Sequence, residues 1–130
     1  MTNDELKQMI LDHMELGFLE NIVDMFRADE TLFPMIVDML QDERMRVRLG
    51  ATALVEELVG THRLRLLELT PMVAEMLKFE NPTSRGDAAY VLGMFRDPAA
   101  LPYLEARAED ENEAVREVIQ EAILEIRTNC

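Results

Sequence analysis

Chemistry in this chain would have to come from two histidines, one cysteine, five glycines or a pair of carboxylates. His13 and His62 lie far apart, and neither sits in a HExxH or other paired-ligand spacing that would hold zinc. Both read as surface histidines. Cys130 is the only cysteine, which excludes an intramolecular disulfide. It is expected on an exposed end, and the nearby Glu125 would raise its pKa instead of activating the thiol. Gly17, Gly50, Gly60, Gly86 and Gly93 are all isolated, so no phosphate-cradling loop is present. No Ser nucleophile motif occurs, and among 26 acidic residues no pair stands out as an acid/base couple. The expectation is no catalytic residue, no metal site and no cofactor.

The elements that position these residues follow from composition and periodicity. With 130 residues, 48% hydrophobic and 30% charged, the chain has the makings of one folded domain over 1–130. A net charge of −13 argues against nucleic-acid binding, which needs a basic face, and against docking on an anionic membrane. No run approaches the roughly 18 apolar residues of a membrane span. The start, Met1-Thr2-Asn3-Asp4-Glu5, lacks the basic and apolar segments of a secretory signal, so a cytoplasmic location is expected.

Leu, Met, Ala, Glu and Arg dominate, which favours helix almost throughout. Pro34, Pro71 and Pro102 are each followed fourteen residues later by an arginine: Arg48, Arg85 and Arg116. Two places after the prolines stand Ile36, Val73 and Leu104. After the arginines, Ala51/Val55/Leu58, Ala88/Leu92/Phe95 and Ile119/Ile123/Ile126 repeat the offsets of one helix face. Each unit is therefore a pair of amphipathic helices joined by a short polar turn. Leu19, Val23 and Phe26 give a degenerate first unit with Leu16 at the arginine position. The divisions are about 1–28, 29–60, 61–96 and 97–130, with Gly60-Thr61-His62-Arg63 in a connection. Helices are expected over 4–14, 17–27, 31–40, 44–59, 66–79, 84–95, 99–108 and 112–127. The expected core is Leu19, Val23, Phe26, Ile36, Leu40, Val47, Ala51, Val55, Leu58, Val73, Leu77, Ala88, Leu92, Phe95, Leu104, Val115, Ile119 and Ile123. Met35/Met39 and Met72/Met76 flank that core and suit adaptable packing. Gly86 and Gly93 share a helix face where a neighbour can approach closely.

An early proline, then Asp, then Val-Arg six residues on resembles the HEAT-repeat pattern; Asp42 with Val47-Arg48 and Asp110 with Val115-Arg116 carry it. The stretch from Leu92 to Leu104 is similar to the HEAT-like repeats of phycobilin lyases. Phe79 and Ser84-Arg85 depart from the pattern in the middle unit. The resemblance covers about residues 31–127. It implies an all-α, right-handed superhelix of about four helix pairs, with Asp42, Arg48, Arg85, Asp110 and Arg116 forming a structural ladder between turns.

On the second helices, the positions off the buried face are Leu49, Ala53, Glu56, Tyr90, Met94, Glu117 and Glu121. Glu113, Glu117, Glu121 and Glu125 step by four, and like charges at that spacing cost about 0.2–0.5 kcal/mol per pair. A basic, amphipathic protein or peptide would suit this strip. The sequence thus reads as a non-catalytic interaction module, a monomer or weak homodimer, engaging neither nucleic acid nor membrane. The resemblance supplies an alternative, a bilin-lyase-like subunit or chaperone.

Overall fold

The computed structural model describes residues 1–129, which leaves the expectation for the Cys130 thiol outside the described residues. Its elements are α1 (Asn3–Glu15), α2 (Leu19–Ala28), α3 (Met35–Leu40), α4 (Met45–Leu66), α5 (Thr70–Glu75), α6 (Pro82–Phe95), α7 (Leu101–Glu105) and α8 (Glu113–Thr128). No strand occurs among the described residues, and the fold is all-α. The chain forms two compact units, one from Met1 to Arg65 and one from Leu66 on. No helix is long and apolar enough to cross a membrane among the described residues.

In the first unit, α1 opens with a reciprocal cap: Glu5 N–H donates to Thr2 Oγ1 at 3.1 Å, and Thr2 N–H donates to Glu5 Oε1 at 3.2 Å. It closes at Gly17, whose φ of 92° needs a residue without Cβ. There Gly17 N–H reaches Met14 O at 3.1 Å and Phe18 N–H reaches His13 O at 3.0 Å, so two carbonyls that lack helical partners are satisfied. Ile10, Met14, Phe26, Ile36, Leu40 and Leu54 fill the core. The Phe26 and Phe33 rings stack within it at 6.1 Å.

The second unit is organised on α6, whose Ala88, Ala89, Val91, Leu92, Gly93 and Phe95 are all buried. Helices α5 and α8 pack against it, and α7 packs on α8. A Cβ on Gly93 would lie 3.2 Å from Ala122, so the absent side chain lets α6 and α8 approach closely. Gly86 meets nothing within 4 Å, so the shared glycine face holds at one of its two positions.

Several boundaries differ from the sequence expectation. The helices expected over 31–40, 66–79 and 99–108 are short α-helices, each entered through a 3₁₀ turn: Glu30–Leu32, Leu67–Leu69 and Pro98–Ala100. Pro34, Pro71 and Pro102 sit where these turns give way to α-helix. A proline offers no N–H to the preceding turn, so that turn tightens without losing a bond. The expected connection after residue 59 is instead helical. Helix α4 runs on to Leu66 with one non-helical residue, His62, at φ −126° and ψ 29°. Leu19 and Ile123, expected in the core, are half-buried at the edge of their apolar stripes. Met39 and Met76 are fully buried, while Met35 is half-buried and Met72 is exposed. Met39 and Met76 are therefore packing residues, and Met72 is not.

Truncating Leu92, which is fully buried, to Ala is expected to cost about 2–5 kcal/mol. Leu124→Ala, at a position 62% exposed, is expected to change stability by no more than about 0.5 kcal/mol. Urea denaturation followed by circular dichroism measures both.

Candidate functional site

The repeating arginine does the same thing in each unit that has one. Arg48 Nη1 donates to the carbonyls of Asp42 and Glu43, both at 2.8 Å. Arg85 Nη1 donates to those of Phe79 at 2.9 Å and Glu80 at 2.7 Å. Arg116 Nη1 donates to that of Asp110 at 2.7 Å. These carbonyls follow the first helix of the pair, where backbone acceptors have no helical partner. A guanidinium on the second helix thus ties down the turn that joins the two. Because the acceptor is main chain, Phe79 can stand where the other units have Asp.

The aspartate side chain has a separate task. Asp42 Oδ1 accepts from Arg44 N–H at 2.8 Å, and Asp110 Oδ1 accepts from Asn112 N–H at 3.0 Å, which turns the chain into the second helix. In the middle unit Asn81 takes this over, its Oδ1 accepting from Thr83 N–H at 2.9 Å.

Asp110 also receives Arg85 across the second unit. Nε donates to Oδ2 at 2.7 Å and Nη2 to Oδ1 at 2.9 Å, a two-point pair. The Arg85 side chain is 3% exposed and that of Asp110 is fully buried. Arg107 adds a longer contact to Asp110 Oδ2 at 3.4 Å. The Arg85 guanidinium holds the Asp110 carboxyl below the usual carboxylate range, against burial, which pushes the other way. Asp42 pairs with Arg44 of its own turn instead, at 3.0 Å, and Arg44 reaches on to Asp12 at 2.8 Å. Hydrogen bonds from Arg44 lower both aspartates' pKa values. Arg44, Asp12 and Arg107 were not legible as site residues, since none of them keeps the repeat register.

The two histidines are not surface residues but half-buried ones. His13 Nδ1 bonds to Met9 O at 2.9 Å and its ring lies 5.7 Å from that of Phe18. His62 Nδ1 lies 2.7 Å from Thr61 Oγ1, and its ring meets Phe33 edge-on at 5.9 Å. Among the described residues no three His, Cys, Asp or Glu side chains gather to hold a metal ion.

Of the strip positions, Leu49 and Glu56 on α4 are exposed and Ala53 is half-buried. On α6, Tyr90 is 46% exposed and Met94 half-buried. Glu117 and Glu121 on α8 are exposed. A cleft of about 460 Å³ in the first unit was not foreseen. Leu11 lines it, with Gln41, Asp42, Glu43 and Arg44 at the turn and an ion pair of Lys7 with Asp38 at 3.7 Å.

A family model described as HEAT repeats matches residues 52–124. The chain belongs to the HEAT-repeat family. The match is to HEAT repeats in general and carries no phycobilin-lyase subtype. Among curated relatives, the HEAT chain is 41% identical over 59 residues to a deoxyhypusine hydroxylase of Drosophila pseudoobscura pseudoobscura, covering 44% of this chain and 20% of that protein. It is 39% identical over 67 residues to the deoxyhypusine hydroxylase of Drosophila melanogaster, covering 50% and 22%. The chain thus spans about a fifth of the length of the relatives it matches. This likeness to enzymes overturns the expectation of a non-catalytic interaction module and, with it, the expectation that the chain is not an enzyme.

The buried pair makes a pH-dependent contribution. Asp110 has its pKa lowered on folding, so its stabilisation is fully present above about pH 4, the unfolded range, and fades as pH falls through the folded value. Asp110→Asn is expected to cost about 3–5 kcal/mol at neutral pH, because it leaves Arg85 buried without its counter-charge. It should also flatten the loss of stability below about pH 4. Urea midpoints measured across pH for both proteins test the two expectations together.

Proposed function

We propose that this chain has an enzymatic role toward a cationic side chain carried by a protein, in the reaction class that its relatives' name describes. The likeness to two deoxyhypusine hydroxylases carries the proposal. Deoxyhypusine is a lysine side chain extended by an aminobutyl arm, so the group to be held is long, flexible and positively charged. An acidic chain of net charge −13 suits such a substrate, by raising its local concentration and by excluding anionic competitors.

The cleft in the first unit offers Asp38 to an ammonium group, its Arg44 being already paired with Asp42 and Asp12. Leu11 offers an apolar wall for methylene groups. Asp38 is held only loosely by Lys7, at 3.7 Å between groups that are 37% and 47% exposed, so a substrate ammonium can take the place of the lysine. Hydroxylation replaces a C–H hydrogen with a hydroxyl group and requires an oxygen-activating centre. The described side chains form no donor set for a metal, and the steps assigned to them are binding and orienting the cationic arm. The cytoplasm is the compartment assigned with this role, in keeping with a single cysteine in 130 residues.

Co-expression with a deoxyhypusine-bearing protein, in a host that does not hydroxylate it, tests the role directly. Intact-protein mass spectrometry is expected to show the gain of one oxygen atom, reduced when Asp38→Ala is expressed at equal level. An unchanged substrate mass with soluble, folded parent chain would overturn the proposal.

A further inference from the structure

The cleft that holds Asp38 carries a second acidic group to which the hydroxylase reading gives no task. Glu43 lines it too, from the turn between α3 and α4. Its main chain is fixed, because Arg48 Nη1 donates to its carbonyl at 2.8 Å and the preceding Asp42 caps the turn. Its side chain is exposed and makes no ion pair or hydrogen bond among the described residues. The other charges of the cleft are engaged differently. Arg44 and Asp42 are paired with each other at 3.0 Å, and Arg44 also binds Asp12 at 2.8 Å. Lys7 stands 3.7 Å from Asp38, too far for a hydrogen bond. Of the 13 basic residues only Lys7 and Lys78 are lysine, and a lysine ammonium lacks the two-point grip that an arginine has on a carboxylate. The cleft therefore offers one carboxylate under a displaceable cation and one with no cation at all, with Leu11 as an apolar wall.

We infer that Glu43 is a specificity-determining residue and that the cleft selects an aliphatic chain bearing two ammonium groups, one on Asp38 and one on Glu43. A single ammonium that displaces Lys7 exchanges one ion pair for another and gains little. The second ammonium meets a carboxylate with no cation to give up, and the methylenes between the two are covered by Leu11. Joining both ammonium groups in one chain makes the second contact intramolecular, which adds affinity. Two sources present this chemistry: the deoxyhypusine arm, whose lysine nitrogen and terminal nitrogen are joined by a butane chain, and a free diamine. The inference rests on the proposed role for the place of the site, at Asp38, and not on the reaction.

The test is an NMR titration of the isotope-labelled chain with butanediamine and with butylamine at equal ionic strength. The parent is expected to bind the diamine about three- to fivefold more tightly than the monoamine, the contribution of one exposed ion pair. Glu43→Gln should abolish that preference, whereas Glu117→Gln/Glu121→Gln, on α8 of the second unit, should keep it. Circular dichroism and a melting curve confirm that both variants are folded. Equal binding of the two amines by the parent, or an unchanged preference in folded Glu43→Gln, would overturn the inference. So would an equal loss of preference in both variants, which would show only general attraction to an acidic chain. Co-expression with the deoxyhypusine-bearing protein separates this result from the enzymatic role. A parent that prefers the diamine through Glu43 but adds no oxygen keeps the inference, with a free diamine as the ligand, and loses the enzymatic role. A parent that adds oxygen but shows no such preference loses the inference alone.

Discussion

A helix pair leaves the carbonyls at the end of its first helix without partners, and the structure depends on how they are satisfied. Two solutions occur in this chain. The first unit ends α1 with Gly17, whose left-handed backbone folds N–H groups back onto His13 O and Met14 O. Every later repeat sends an arginine from the second helix instead, so that Arg48, Arg85 and Arg116 each hold the turn six residues before them. The arginine device does more than cap, because it fixes the second helix to the first. Short first helices such as α5 and α7 would be marginal alone, and this tether together with apolar packing makes them viable.

The same arginine makes the aspartate versatile. In the last repeat Asp110 caps its own turn and also receives Arg85, and both charges are buried. Such a pair does not add much stability over an apolar one of the same shape, but half of it is very costly to keep. The pair therefore specifies how neighbouring turns align in the second unit. In the first unit Asp42 caps its turn likewise, yet its charge goes to the half-buried Arg44, where solvent screens it. The identical sequence element thus has two electrostatic roles.

The buried Asp110 is paired with Arg85, and solvent-facing carboxylates range from close pairs, such as Glu105 with Arg127 at 2.7 Å, to Asp38, held by Lys7 at 3.7 Å. In the proposed role, Asp38 is the carboxylate that receives the cationic arm. No single residue type announced this. Carboxylates are so common in the sequence that Asp38 could not be told from its neighbours before the fold placed it across from Lys7 and beside Leu11.

By itself the sequence determined the helix pairs, their proline and arginine register and the burial of most core positions it named, because these obey the 3.6-residue period and recur. Val47, Ala51, Leu92, Phe95 and Ile119 are buried as that period requires. Only tertiary structure decided the rest. The 3₁₀ entries before the prolines and the run of α4 through His62 depend on local packing, to which propensity is nearly indifferent. Leu19 and Ile123 missed burial because they lie at stripe edges, where a small rotation of a helix changes exposure. The partners of Asp110 and Asp42 differ because one has a buried arginine 25 residues earlier and the other a half-buried turn neighbour, a distinction made by distance in space and not in sequence.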